Sequence, residues 1–188
     1  MTTYHGVFEP TAIAATSNDA WVRNIVCASA LDNGNIVKLK GGKSATDGES
    51  EVWTAVVPSA ADGLTDLWMV YSGEEIPLAV SGDSVYKGLN LDPRNFYTLA
   101  DKVVSAYKPF LGDIIKVSAA ALGGSFILNT TTHVNAVDNT GGFKLLWGNS
   151  QTASVLSYKL IAVSYISLAT GAINTQRQDA YVFECVGL

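Results

Sequence analysis

The chain has 188 residues, 48% hydrophobic and only 15% charged, with 12 Lys+Arg against 17 Asp+Glu and a formal net charge of −5. A chain this long and apolar buries roughly 70% of its unfolded surface, which excludes intrinsic disorder. The acidic balance argues against a nucleic-acid groove, which needs clustered Lys and Arg, and no apolar run approaches the ~20 residues of a helical membrane span.

Residues 1–18 read as an extended N-terminal arm, with Tyr4, Val7, Phe8 and Ile13 spaced by small and polar residues and Pro10 breaking any regular element. Chain ends fray by default, yet solvent-facing tails seldom carry aromatics this close together. The first six residues hold no basic run followed by an apolar core, so no secretory signal is expected. Trp21-Val22-Arg23-Asn24-Ile25-Val26-Cys27 and Ile36-Val37-Lys38-Leu39 read as strands. Asn33-Gly34 between them is expected to close a tight hairpin. After a polar, glycine-rich loop at 40–50 come strands at 51–57, stopped by Pro58, and at 67–71.

The middle is less regular. Residues 96–107 show partial helical spacing at Leu99, Val103 and Ala106, but Val103, Val104 and the flanking aromatics favour two short strands around Ala100-Asp101-Lys102. Ile114-Ile115-Lys116-Val117-Ser118 is a strand, and Ala119-Ala120-Ala121-Leu122 reads as one helical turn ended by Gly123-Gly124. Strands are then expected at Phe126-Ile127-Leu128, at 133–137 and at 143–148. A long closing pair follows at 155–168 and 178–186, apolar on both faces. The fold class is therefore all-β: an antiparallel sandwich or barrel with an extended arm and at most one or two short helices. Residues 19–188 form one β-rich domain, with an inserted lobe at about 58–110 as one way to place the irregular middle.

Chemistry is thinly represented. His5 sits in the arm, and His133 reads as a surface imidazole beside a turn. No C-x-x-C, H-E-x-x-H or EF-hand spacing occurs, and no serine lies in a G-x-S-x-G elbow. Gly42-Lys43-Ser44 matches the end of a phosphate loop, but Val37 stands where its first glycine is required. Glu74 and Glu75 are adjacent and would face opposite ways on a strand. Neither an enzyme nor a bound cofactor or metal is expected. Cys27 and Cys185 lie in apolar strand-like runs and are expected to be buried free thiols. Four Trp (Trp21, Trp53, Trp68, Trp147) could form a sugar-stacking platform, although each lies inside an apolar run that suits a core.

A mildly acidic β protein with an aromatic arm and no catalytic constellation resembles the head decoration, or capsid cement, proteins of tailed phages. The echoes are Asn33-Gly34-Asn35-Ile36-Val37-Lys38-Leu39, then Gly112-Asp113-Ile114-Ile115-Lys116-Val117-Ser118 after a Pro-containing aromatic segment, and the strand-rich finish. The resemblance implies a virion structural protein, made in the host cytoplasm, that binds the major capsid protein on the outer shell surface. It also implies a homo-oligomer, commonly a trimer. Carried onto this chain, partner binding by the arm falls to Tyr4, Val7, Phe8 and Ile13. Removing residues 1–15 should then leave a folded core with weakened attachment. The alternative is a β-sandwich receptor- or glycan-binding module of a phage tail or fibre.

Overall fold

The runs rich in Val, Ile and aromatic residues form strands, because their branched and planar side chains suit a pleated surface. In the computed structural model these strands sort into a closed barrel, a seven-stranded sheet and a separate two-stranded pair. The structure describes residues 5–17, 21–42, 51–59, 64, 66–71, 80–81, 84–85, 94, 96–136, 142–152, 154–169 and 175–188. In chain order the strands are β1 (Phe8–Ala12), β2 (Val22–Cys27), β3 (Ile36–Gly42), β4 (Val52–Val56), β5 (Leu67–Val70), β6 (Val80–Ser81) and β7 (Ser84–Val85). They continue as β8 (Val103–Tyr107), β9 (Ile114–Ser118), β10 (Leu122–Gly123), β11 (His133–Asn135), β12 (Leu145–Gly148), β13 (Ser157–Ala169) and β14 (Thr175–Gly187). Strands β2-β4-β3-β5-β8 close into a barrel. A seven-stranded sheet runs β1-β9-β14-β13-β11-β12-β10, and β6 pairs only with β7. The all-β class expected from the sequence is the class observed.

Two residue sets hold this together. Ile25, Val37, Ala55, Trp68, Val70, Val104 and Ala106 fill the barrel. The larger core lies between barrel and sheet: Ile36, Met69 and Tyr107 from the barrel meet Ile115, Val134, Tyr158 and Phe183 from the sheet. Strands β5 and β8, drawn from residues 58–110, are barrel staves. Residues 72–79 and 86–93 of that region, like the polar loop at 43–50, lie outside the described residues.

Three local expectations are corrected. Asn33-Gly34 does form a turn, with Gly34 at φ 85°, but β2 and β3 are not a hairpin. Strand β2 pairs parallel with β4 and antiparallel with β8, whereas β3 pairs with β4 and β5. The turn is stitched to β5 instead: the Gly34 N–H donates to the Val70 carbonyl at 2.9 Å, and the Val70 N–H donates to the Asn35 carbonyl at 2.8 Å. Before it, Leu31 leaves β2 and exchanges backbone bonds with Thr98 at 2.9 and 2.8 Å. The ladders are also not purely antiparallel, since β10 pairs parallel with β12. Finally, residues 126–128 are not a strand. The Thr131 hydroxyl donates to the Ile127 carbonyl at 3.0 Å and accepts the Ile127 N–H at 2.9 Å, closing a turn that removes both groups from any ladder.

Of the two short strands expected in 96–107, only the second forms, the first being a single bridge from Thr98 to Leu31. Residues 96–107 contain β8 preceded by a turn in which Asp101 has φ 59°. Ala119–Ala121 is a single 3-10 turn. Gly6 marks a close approach: a Cβ there would sit 2.8 Å from Ala121 Cα and Cβ. Gly6→Ala is expected to push the N-terminal segment off this surface and cost about 1–3 kcal/mol. A thermal melt indistinguishable from the native protein would contradict that contact.

Candidate interaction surface

The N-terminal segment docks on its own chain. Tyr4 lies outside the described residues. His5 Nδ1 is 2.7 Å from Asp32 Oδ1, and its ring stacks on Tyr97 with centroids 4.3 Å apart. Val7 donates its N–H to Ser118 Oγ and accepts the Ser118 N–H, both at 2.9 Å, while its side chain packs with Ile166 and Ala180. Phe8 lies against the rings of Tyr71 and Tyr107. Ile13 is in the same core. Beyond it, the Ala14 N–H donates to Asp113 Oδ1, whose second oxygen accepts the Phe110 N–H, both at 2.8 Å. Strand β1 pairs antiparallel with β9, so this segment adds a strand to the sheet of its own chain. Val7, Phe8 and Ile13 are buried within this chain.

The surface that is presented comes from β13 and β14. Strand β11 pairs with β13 only over residues 157–159, and β9 pairs with β14 only over residues 180–184. Among the described residues, β13 from Ile161 onward has only β14 beside it, and from Tyr165↔Asp179 to Ala169↔Thr175 the pair has no third strand on either side. A two-stranded ribbon is marginal in water unless something covers it. One face rests on the Val7–Ile166–Ala180 cluster. On the other, Ile161 is 50% exposed, Val163 58% and Tyr165 45%. Arg177 lies 4.3 Å over the Tyr165 ring, holding that side chain flat by a cation–π contact. Tyr181, opposite Val163 in register, stands 5.0 Å from the Phe126 ring, and after Phe126 come the exposed Ile127 and Leu128.

A second apolar feature lies at the far end of β14. Leu64, Leu67, Pro109, Leu156 and Leu188 line a cleft of about 250 Å³, with Asp66 and Lys108 paired at 2.6 Å on its rim. Leu188 is half-exposed and Leu111, in the adjoining turn, more so. From Tyr181 to Leu188 the strand covers about 23 Å at ~3.3 Å per residue. Among the described residues, exposed apolar side chains therefore stand on β13 beside the middle of β14 and again just past the C-terminal end of β14. Sequence reading found the long apolar pair but not these two surfaces, because neither the exposure of the β13 side chains nor the cleft is a local property.

The residues weighed for chemistry are dispersed. His133 Nδ1 lies 2.8 Å from the Thr132 hydroxyl. Burial, with Lys159 adjacent, lowers its pKa. No group of three or more His, Cys, Asp or Glu suited to a metal occurs among the described residues. Cys27 and Cys185 are free and buried in different cores. Burial pushes the Cys185 thiol up to about 12, so it is a poor nucleophile near neutrality. The Trp rings are occupied: Trp21 by Phe110, Trp147 by Phe126 and Tyr181, and Trp53 and Trp68 by the Arg23 guanidinium at 4.4 and 5.4 Å. No protein-family model, curated protein or solved structure matches this chain.

Proposed function

We propose that this chain is a virion structural protein that binds the outer surface of a tailed-phage capsid through the major capsid protein and stabilises it, as a head decoration or cement protein. The observation that supports this reading is the pair of exposed apolar surfaces, one on β13 around Val163 and one around Leu188 past the end of β14, held at fixed spacing by a sheet packed on a closed barrel. A clamp needs two contacts on one stiff body. Each contact is modest, and repetition over a lattice multiplies the effect. The low charge of the chain suits attachment by apolar area and backbone pairing, which require no particular charged anchor.

Sedimentation with undecorated shells, assembled from the major capsid protein of the same virus, tests the reading. The native chain is expected to pellet with shells and to raise the temperature at which they disrupt. Leu111→Asp combined with Leu188→Asp, both at exposed positions, should leave the melting temperature of the free chain unchanged and abolish pelleting. Native protein that stays in the supernatant, or a double variant that pellets as well as the native chain, overturns the proposal or the assigned surface respectively.

A further inference from the structure

We infer that Arg23 and the indoles of Trp53 and Trp68 form a carboxylate-binding site at one mouth of the barrel. The inference goes beyond the capsid reading and does not depend on it.

The topology brings the three residues together. Strand β2 runs parallel to β4, and β3 runs antiparallel to both β4 and β5, so β2, β4 and β5 all begin at the same end of the barrel. Arg23, Trp53 and Trp68 are each the second residue of their strand. Arg23 stands two positions before Ile25, which fills the barrel, and therefore on the same inward face. Its cross-strand neighbour on β8 is Ala106, whose small side chain leaves room for a long one. The guanidinium carbon lies 4.4 Å from the centroid of the Trp53 ring and 5.4 Å from that of Trp68. The rim beside Trp53 is open: Gly42 is opposite Trp53 in register, and a Cβ on the preceding Gly41 would meet nothing within 4 Å.

The indoles satisfy only part of this cation. Their faces attract its charge, but its N–H donors lie in the guanidinium plane and need acceptor atoms. Among the described residues, no hydrogen bond or ion pair joins the Arg23 side chain to another residue, and Glu51, the acid just ahead of β4, is not a partner. A half-buried guanidinium with unused donors beside apolar walls is matched by a planar anion with two parallel acceptor oxygens, which is a carboxylate. A phosphate dianion suits a single fork less well, because its second charge is left uncompensated. The chain as a whole carries −5, so the attraction is local to this fork. The carboxylate can belong to a free organic acid or to a Glu or Asp side chain of a partner.

Titration of the full chain with sodium propionate, followed by nitrogen–proton correlation spectra, tests this. The indole N–H signals of Trp53 and Trp68 are expected to shift together and to saturate with a dissociation constant on the order of 1–10 mM, while that of Trp147 stays in place. Propionamide, the uncharged isostere, and sodium chloride at equal ionic strength should move neither. Arg23→Lys keeps the charge but not the fork, and should weaken binding by roughly 10-fold or more with an unchanged circular dichroism spectrum. Acetyl-glutamyl amide, charged only at its side chain, separates the two sources: binding at least as tight as propionate assigns a partner's acidic side chain, and weaker binding assigns a free acid. No saturable shift in the native chain, as follows if Asp47 or Glu49 from residues 43–50 already fills the fork, overturns the inference. So does an equal response to propionamide, or an Arg23→Lys variant that binds propionate as well as the native chain.

Discussion

Replacing Phe8 by alanine is expected to destabilise the protein by about 3–5 kcal/mol, the cost of a large cavity in a packed core. For a chain of this size that lowers the melting temperature by roughly 10 °C. Phe8 is 2% exposed and sits where barrel and sheet meet, against Tyr71 and Tyr107. Its loss also loosens β1, whose register sets Phe8 opposite Val117, and would uncover the β9 edge. The variant should therefore melt early and aggregate as it does so. Amide exchange checks the mechanism: the Ser118 N–H, bonded to the Val7 carbonyl, should lose protection before the amides of the barrel. Glu9→Ala, which removes only the part-exposed partner of Lys116, should change stability by less than about 1 kcal/mol. A Phe8→Ala melt close to that of the native chain would show that the segment is not part of the core. The same geometry reverses an expectation from the sequence. Removing residues 1–15 takes away Val7, Phe8, Ile13 and a sheet strand together, so that truncation should fail to fold cooperatively.

The second large effect is unfolding in alkali. Burial, the largest cause in each case, raises the pKa of Cys185 to about 12 and pushes the hydroxyls of Tyr107 and Tyr158 well above the usual phenol range. All three are acids held neutral by the fold. Below their ordinary values both folded and unfolded chains keep the protons, and stability does not depend on them. Above about pH 9 for the thiol and 10 for the phenols, the unfolded chain releases protons that the folded chain retains, so stability falls as pH rises. Each engaged group contributes a slope of roughly 1.4 kcal/mol per pH unit, and three together about 4. Against a typical total of 5–15 kcal/mol, cooperative unfolding is expected near pH 11 to 12. Tyrosinate absorbance should show two slow-titrating phenols that ionise only as the fold is lost. Tyr158→Phe should move the midpoint upward relative to neutral-pH stability. A native fold that persists well beyond pH 12, or eight tyrosines titrating before unfolding, would refute this account.

Residue types and alternation carried the all-β class, because a period of two with branched side chains is a local signal. The strands at 51–57, 67–71 and 114–118 were readable for that reason. So was the long closing pair, which the structure shows as the 13-residue strands β13 and β14, flanked on both sides only over part of their length. The irregular stretch at 96–107 was resolved by Val103 and Val104 rather than by its partial helical spacing. By contrast, Asn33-Gly34 signalled a turn correctly while its neighbours chose other partners. A positive φ specifies a change of direction, but the strands that meet afterwards depend on barrel closure.

Composition, the apolar alternation and the turn residues by themselves determined that this chain folds into β-sheets, where the chain turns, and that both thiols sit in apolar runs. Only the tertiary structure decided that the N-terminal residues complete the chain's own core, that the barrel and sheet share one packed seam, and that, among the described residues, the far part of β13–β14 has no further strand beside it. The physical reason is range. Strand formation and turning are governed by side chains a few positions apart, whereas the covering of a face or an edge depends on contacts between segments such as Val7 and Ser118, which are distant in sequence and meet only once the fold is closed.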